Sequence, residues 1–344
     1  MNPVYFGLFL IMAMVLALPF LVKKIEEELE IFLFVMGCVA VTITSQWSMP
    51  LIGEGLVEPI KITIAVLLGG FLFRIFHKPI AHGVNKTADA IGIKLFVFLV
   101  IIILGILSSI ITAIIAALVL VEIVTHLKMD RKNEILLVIL SCFSIGLGAA
   151  LTPIGEPLAT IAIAKLKGFP YRADFFFLFR HLWVFVISGV MLFGLFGAIL
   201  ISDKRQKAPG LTAGRKEENM KDVFLRTVKV YFFVMALVFL GQGFKPIIDA
   251  YIAKIPYQGL YWINIISAVL DNATLTAAEI DPSMSLIQIK SALVGLLIAG
   301  GMLIPGNIPN IICAGKLKIK SSEWAKFGVP LGLVVMVAYF LILK

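Results

Sequence analysis

Apolar runs long enough, or nearly long enough, to cross a lipid bilayer follow one another along almost the whole chain. A helix needs about 20 apolar residues to span a hydrocarbon core of ~30 Å. The chain has 344 residues, of which 60% are hydrophobic and only 15% charged, so little sequence remains for a soluble domain. The sequence therefore predicts an all-α polytopic membrane protein. The runs cover 4–22, 29–46, 60–76, 93–127, 135–168, 175–202, 224–243, 257–280, 284–320 and 326–343.

The run at 93–127 is too long for one crossing, because a helix over all of it would measure about 52 Å at 1.5 Å per residue. It is either two full crossings or a re-entrant hairpin whose tip lies near 108–112. Basic residues flank both ends, including Lys86 and Lys128, which indicates that both ends face the cytoplasm. Two short arms suit a hairpin better than two full crossings.

A long polar stretch at 203–222 divides the chain, and its Pro209, Gly210 and Gly214 are typical of a linker. Most Lys and Arg residues between the runs fall on the same side of the membrane as this stretch. The excess of positive charge predicts a cytoplasmic linker in a multi-pass protein of the cell (plasma) membrane, with both chain termini facing outward.

Short sequence matches recur in the same order on either side of the linker. "FHKPIA" at 76–81 resembles "FKPIID" at 244–249, and "LVLVEI" at 118–123 resembles "LTAAEI" at 275–280. The longest match joins 149–167 to 300–318. In it, Pro153 and Pro157 are paired with Pro305 and Pro309.

Three matches in one order indicate two homologous halves. Each half holds an odd number of crossings, so the second is expected to be inverted relative to the first, as in many secondary transporters. The predicted organisation is a two-helix extension at 1–58, repeat 1 at 59–202 with a hairpin at 93–127 and a broken helix at 135–168, the linker at 203–222, and repeat 2 at 223–344 with a hairpin at 257–281 and a broken helix at 284–320.

Four polar clusters interrupt the apolar runs: "LSSIIT" at 107–112, "LTPIGEPLAT" at 151–160, "LDNATLT" at 270–276 and "LIPGNIPN" at 303–310. Unpaired polar groups inside a membrane cost several kcal/mol, so each cluster is expected to have a structural or functional role. Two prolines in a crossing force unwound backbone, which persists at membrane depth where it is buried in protein or lines a cavity. Free carbonyls there can bind a cation, and helix N-termini can attract an anion.

Charge in the clusters favours a cation, because Glu156 and Asp271 lie within them and no Lys or Arg does. An intramembrane acid is functional by default. Oxygen ligands suit Na⁺, and either carboxylate can also bind a proton, so both acids are proton-coupling candidates. Competition between the two ions for one site is sufficient for antiport.

The candidate ion or substrate ligands are twelve polar or glycine residues from the four clusters: Asp271, Asn272, Thr274, Thr276, Glu156, Thr152, Gly155, Asn307, Asn310, Ser108, Ser109 and Thr112. For Ser108, Ser109 and Thr112 a structural role is equally expected, since hydroxyls in membrane helices often bond a carbonyl one turn back. Glu122 and Glu279 occupy matched positions near the hairpin exits, where an interfacial role and a transport role are equally expected.

The segments "SAVLDNATLTAAEI" at 267–280 and "LTPIGEPLAT" at 151–160 resemble the ion transporter superfamily, which includes NhaD-type sodium/proton antiporters, ArsB-type arsenite exporters and divalent anion/sodium symporters. The chain most resembles small members described as predicted cation transporters. The resemblance implies two re-entrant hairpins facing two broken helices, usually in a homodimer with an elevator-like transport domain.

By motif position, the resemblance implies ion contacts at Asp271, Asn272, Thr274, Thr152, Glu156 and Asn307, with Na⁺ held by Asp271, Asn272 and Glu156. One departure bears on the substrate. The first hairpin tip reads "SSIITA" where the anion symporters carry a Ser-Asn-Thr motif, which argues against dicarboxylate binding.

The function expected from these features is secondary active cation transport, most specifically Na⁺/H⁺ antiport by alternating access. The alternatives are an anion transporter for arsenite or a small carboxylate and, less favoured, an intramembrane enzyme, since the sequence has no HExxH motif and no Ser/His or Ser/Lys pairing with suggestive spacing. We expect no enzyme activity, no cofactor beyond the transported ions, no ATP-hydrolysing subunit and no nucleic-acid partner. The expected partners are the lipid bilayer and a second copy of the chain.

Overall fold

The computed structural model describes residues 3–22, 24–25, 28–127, 129–202, 220–251 and 255–343. Helix accounts for 82% of the structure, and the described ranges contain no β-strand. The helices are α1 Pro3–Leu21, α2 Leu29–Ile43, α3 Met49–Ile91, α4 Ile93–Ile111, α5 Ala113–Leu127, α6 Arg131–Ala149, α7 Pro157–Lys165, α8 Phe177–Leu200, α9 Met220–Tyr251, α10 Tyr257–Ile263, α11 Asn272–Glu279, α12 Leu286–Gly300, α13 Ile308–Leu317 and α14 Ser321–Ile342, with 3₁₀ turns at Asn264–Ala268 and Ile304–Gly306.

Five of these helices are long and apolar enough to cross a membrane: α4, α6, α8, α14 and the Thr227–Ile247 part of α9. Shorter apolar helices include α2, α5, α12 and α13. The chain is therefore built as an all-helical integral membrane protein. Most of the predicted cytoplasmic linker, 203–219, lies outside the described residues.

Helix α3 differs from the sequence expectation of a separate run at 60–76. It is one helix of 43 residues, which corresponds to about 65 Å. The Ser48 side chain caps its start by accepting from the Leu51 amide at 3.3 Å. Lys78 and Lys86 therefore lie on a helix and not in a loop, and the predicted boundary after residue 58 falls inside α3. Hydropathy misplaced the boundary because charged residues interrupt an apolar run without ending a helix.

Helices α4 and α5 are separated by the single residue Thr112, whose φ of 77° and ψ of 150° fall in a region normally left to glycine. Gly92, at the other end of α4, has nearly the same angles, φ 81° and ψ 151°. The chain thus breaks where the first hairpin tip is predicted. Helix α4 has 19 residues and is one of the five helices of spanning length, so that arm is longer than the sequence suggested.

The two proline clusters each lie between two helices. Helix α6 ends at Ala149 and α7 begins at Pro157, while α12 ends at Gly300 and α13 begins at Ile308. These bounds pair Ala149 with Gly300. They do not support the proline pairing made from the sequence, in which Pro153 falls on Pro305: that pairing is one residue out of register with the helix ends.

Elements from the two sides of the linker interlock around these breaks. Helix α7 packs on α11, α13 packs on α5, and α6 packs on α12. Small residues bring the helices of the first half together: a Cβ on Gly148 would lie only 1.7 Å from the Gly105 carbonyl oxygen. Helices α6 and α12 form the buried centre, with almost every residue after their first turns inaccessible.

Candidate functional site

The first break places Glu156 at the N-cap of α7 in extended backbone, φ −155° and ψ 160°. Its side chain makes no capping bond and is only 5% exposed. Its Oε1 has no hydrogen-bond partner among the described residues. Only glycine fits at the preceding position, Gly155, because a Cβ there would lie 2.0 Å from the Ala149 carbonyl oxygen. The break therefore presents a buried carboxyl oxygen that remains available to a ligand.

Asp271 and Asn272 begin α11, which packs against α7. The Asp271 carbonyl accepts from the Leu275 amide at 3.2 Å, which makes Asp271 the first residue of the helical hydrogen-bond pattern. Asn272 is 3% exposed, and its Nδ2 lacks a hydrogen-bond partner in the described part of the chain. The Asn272 side chain and the Asp271 charge both interact with the Glu156 carboxyl. Residues from two distant parts of the sequence thus meet as one polar site.

The second break adjoins the same site. A Cβ on Gly300 would lie 3.7 Å from Asn272 Nδ2, which puts the start of α11 beside the end of α12. Asn307, the buried N-cap of α13, points toward α6: its Nδ2 would be 2.7 Å from a Cβ on Gly146. Asn310 Nδ2 donates to the Gly300 and Leu303 carbonyls, each at 2.8 Å, and so supports the unwound peptide.

The candidate hydroxyls of the helices donate to backbone carbonyls. Ser108 Oγ lies 2.6 Å from the Gly105 oxygen and 3.0 Å from the Ile145 oxygen, and Ser109 Oγ donates to Ile106 at 2.7 Å. Thr276 Oγ1 donates to the Asn272 carbonyl at 2.8 Å. Hydroxyls in membrane helices often make such bonds, which leave only their lone pairs for a ligand.

The remaining candidates join the first break to the tip between α4 and α5. Thr152 Oγ1 donates to the Ser109 carbonyl at 2.5 Å, and the Ala113 amide donates to the Gly155 carbonyl at 2.9 Å. Thr112 Oγ1 accepts from the Ile115 amide at 3.3 Å. The side chain of Thr274 lies outside the described residues. This tip and the first break therefore form one hydrogen-bonded unit.

Helix α5 carries a buried pair of titratable side chains that the sequence did not predict. Glu122 Oε1 lies 2.7 Å from His126 Nε2, and both side chains are buried. His126 follows Glu122 by four residues, a spacing that places the two side chains on one helix face. Lys316 is likewise buried, in the last turn of α13.

The electrostatics of the site favour a positive ligand. Glu156 and Asp271 each lie at the start of a short helix, where the helix dipole favours negative charge. The interaction partners of the Glu156 carboxyl are a second acid and an amide. Clusters of three or more His, Cys, Asp and Glu side chains are absent from the described residues. The arrangement suits a proton or a monovalent cation.

Comparison with known proteins assigns the chain to a family. No curated protein matches it. One family model, described as "Protein of unknown function (DUF1646)", matches residues 5–344. Because this match covers nearly all of the sequence, the chain belongs to that family.

Proposed function

We propose that the protein is a secondary active cation transporter, most specifically a Na⁺/H⁺ antiporter that works by alternating access. One observation carries the proposal: the buried Glu156 carboxyl, at the break between α6 and α7, interacts with Asp271 and Asn272 at the start of α11. The two acids come from opposite sides of the linker. A site shared between two parts of the chain can open or close when these parts move relative to each other.

Two neighbouring acids in a buried site need positive charge. An ionised carboxylate removed from water costs several kcal/mol, and a second one beside it adds repulsion. A bound proton or a bound Na⁺ relieves the same repulsion, so binding of one ion opposes binding of the other. Exchange of the two ions at this site, on alternate sides of the membrane, is antiport.

The backbone that leaves the α-helical path at 150–156 and 301–307 supports Na⁺ in particular. Carbonyl oxygens of unwound segments coordinate Na⁺ in transporters with broken helices. The Oδ1 atom of Asn310 is a further buried oxygen without a partner in the described residues. The proposed Na⁺ ligands are Asp271, Asn272 and Glu156, with Asn307, Thr152 and Thr274 as further contacts.

An anion would meet an unfavourable field at the same place. The starts of α7 and α11 are the positive ends that would bind it, but Glu156 and Asp271 already occupy them. Transport of arsenite or a small carboxylate is therefore the alternative that the test must separate. A homodimer in the cell membrane, an elevator-like movement and a cytoplasmic linker at 203–222 belong to the same proposal.

The test is a flux measurement on the purified full chain in sealed liposomes that contain a pH-sensitive dye. We expect Na⁺, but not choline, to dequench the dye. Asp271→Asn and Glu156→Gln should each abolish the response, because each removes one of the two neighbouring charges. Glu54→Gln is the matched control: this glutamate is exposed on α3, and its variant should transport like the wild type.

Two results would overturn the proposal. A dye that stays silent while the liposomes take up labelled arsenite or carboxylate would establish the anion alternative. Normal Na⁺-dependent dequenching in both Asp271→Asn and Glu156→Gln would show that the coupled ions bind elsewhere.

A further inference from the structure

A second group of buried titratable side chains lies where α5 ends, outside the proposed transport site. Glu122, His126, Glu134 and Lys316 are each no more than 6% exposed. His126 lies in the last turn of α5, Glu134 in the first turn of α6 and Lys316 in the last turn of α13. Nine residues of α5, about 14 Å, separate Glu122 from the start of that helix beside the first break. The group is therefore distinct from the transport site.

Two contacts align α13 with the helices of the first half. Cys313 Sγ lies 3.6 Å from the Ala117 carbonyl oxygen of α5. Arg131 Nη2, at the start of α6, donates to the Lys318 carbonyl at 3.2 Å. Lys316 lies between these two points on α13, so its buried side chain belongs to the junction at which α5 and α13 end and α6 begins.

Glu134 lies at the same junction. Its Oε1 accepts from the Met129 amide at 3.1 Å. Met129 is fully buried and follows His126 by three residues. The Glu134 carboxyl is thus held against the segment in which α5 ends.

Glu122 and His126 are in direct contact, with 2.7 Å between Glu122 Oε1 and His126 Nε2. A hydrogen lies between these atoms, because a carboxylate oxygen and a bare imidazole nitrogen both only accept and would repel each other. With a neutral imidazole beside an ionised carboxylate, the pair carries a net charge of about −1 in a buried place. One more proton makes it an ion pair without net charge, which lowers the cost of burial.

Most of the buried charge around His126 favours this further proton. The carboxylates of Glu122 and Glu134 attract a positive imidazole, and Lys316 opposes it. The position of His126 adds to the attraction, because the C-terminal end of a helix favours positive charge.

The helices that pack against α5 bring other titratable groups, but these are exposed, paired or neutral. The packed helices are α3, α4, α6 and α13. Arg131 pairs with Glu323 at 2.7 Å. The other such groups with described side chains are the exposed Glu54, Glu58, Lys86, Asp89, Lys94 and Lys132 and the buried thiols of Cys142 and Cys313.

We propose that Glu122 and His126 form a proton-binding site, in which His126 takes up H⁺ and the Glu122 carboxylate holds the resulting imidazolium through Nε2. Since Nε2 keeps its hydrogen toward Glu122, the proton that exchanges is the one on Nδ1. In the proposed topology this proton comes from the cytoplasm. The inference goes beyond the proposed function and does not depend on it, because a proton can be bound here whatever the protein transports.

The test is solid-state ¹⁵N NMR of the full chain in lipid bilayers, with labelled histidine, during a pH titration. The chain has four histidines, so His77→Gln, His82→Gln and His181→Gln together leave His126 as the single labelled side chain. Both ring nitrogens should carry a hydrogen at the acidic end, and only Nδ1 should lose it as the pH rises. If this triple variant does not fold, the difference between the wild type and His126→Gln isolates the same signal.

Variants of the neighbouring charges should move this loss in opposite directions. Glu122→Gln removes the attracting carboxylate, so Nδ1 should lose its hydrogen at a lower pH than in the parent protein. Lys316→Met removes the opposing charge, so the loss should occur at a higher pH. Glu54→Gln, an exposed acid on α3, is the matched control and should leave the titration unchanged.

Three results would overturn the inference. The first is a His126 ring that stays neutral throughout the titration, and the second is loss of the hydrogen from Nε2. The third is a Glu122→Gln titration that superimposes on that of the parent protein. The expected titration in a protein that shows no Na⁺-driven flux would support this site and overturn only the antiport proposal.

Discussion

Glu156 and Asn307 occupy the same position in two separate helix breaks and adopt nearly the same backbone angles, φ −155° and ψ 160° against φ −154° and ψ 148°. Each follows a glycine, Gly155 or Gly306, and each begins a short helix with a proline in its first turn. The chain thus builds one local structure twice and places an acid in one copy and an amide in the other. Of the two caps, only Glu156 brings a carboxylate to the candidate site.

Both glycines of these breaks should resist substitution. A Cβ on Gly155 would lie 2.0 Å from the Ala149 carbonyl oxygen, and one on Gly306 would lie 2.5 Å from the Gly300 carbonyl oxygen. Because these neighbours are backbone atoms, they cannot move aside cheaply. We expect Gly155→Ala and Gly306→Ala each to lose about 1–3 kcal/mol of stability or more, measured as a lower Tm in detergent.

Gly315→Ala is the control for this pair. Gly315 lies within α13, and a Cβ there would meet nothing within 4 Å. Alanine in a helix interior is favoured over glycine by about 1 kcal/mol, so this variant should be as stable as the wild type or slightly more stable. A Gly155→Ala protein with the Tm of the wild type would contradict the tight turn described for the first break.

Thr112 adopts a conformation that costs a residue with a Cβ about 1–3 kcal/mol. Thr112→Gly removes this strain but also removes the bond from the Ile115 amide and adds chain entropy to the unfolded state. The net expectation is a gain of about 1 kcal/mol, read as a higher Tm. Thr112→Ser keeps both the Cβ and the hydroxyl, so it should show no such gain.

The transport rates of the same variants test whether the Thr112 hydroxyl has a role in transport. If the Thr112 hydroxyl binds the transported ion, Thr112→Gly should fold more stably and transport more slowly, while Thr112→Ser keeps its rate. Equal rates in all three proteins would leave Thr112 with a structural role only. A lower Tm for Thr112→Gly would contradict the strain itself.

Local sequence patterns predict where the chain breaks, whereas a common site for Glu156, Asp271 and Asn272 was expected from the family resemblance alone. Pro153 and Pro157 each lack an amide N–H for helical hydrogen bonding, and they favour a break between them, which is a local effect that a sequence displays directly. The approach of Asn272 to Glu156 depends on the packing of α11 against α7, and no local pattern encodes it.

Hydropathy also could not locate the start of α3. Glu54 and Glu58 lie before the apolar run that begins at residue 60, yet both are within α3. Glutamate is a good helix former, and the real start is marked by the Ser48 cap and Pro50 in the first turn. At the start of α3, the capping residue therefore locates the helix end better than charge does.

An ion pair ties the start of α6 to the start of α14. Arg131 Nε and Nη2 donate to the two carboxyl oxygens of Glu323, each at 2.7 Å, and Nη2 also reaches the Lys318 carbonyl at 3.2 Å. A lysine at this position, in Arg131→Lys, cannot form the bidentate contact with the Glu323 carboxylate. Because the pair is partly exposed, we expect a loss of only about 0.2–1 kcal/mol, smaller at high salt. Lys132→Gln, next to it and exposed, should leave the Tm unchanged; an equal loss there would contradict a specific pair.

Helices α6 and α7 lie on either side of one break, so the proposed topology puts their outer ends on opposite sides of the membrane. Lys132, near the start of α6, and Lys167, just after α7, are both exposed. In a background without Cys38, Cys142 and Cys313, we expect Lys132→Cys to react with an impermeant maleimide only from the cytoplasm. Lys167→Cys should react only from outside, because the more basic side faces inward. Labelling of both from one side would mean that α6 and α7 form a hairpin, and the Glu156 break would then lie near its tip and not within a crossing.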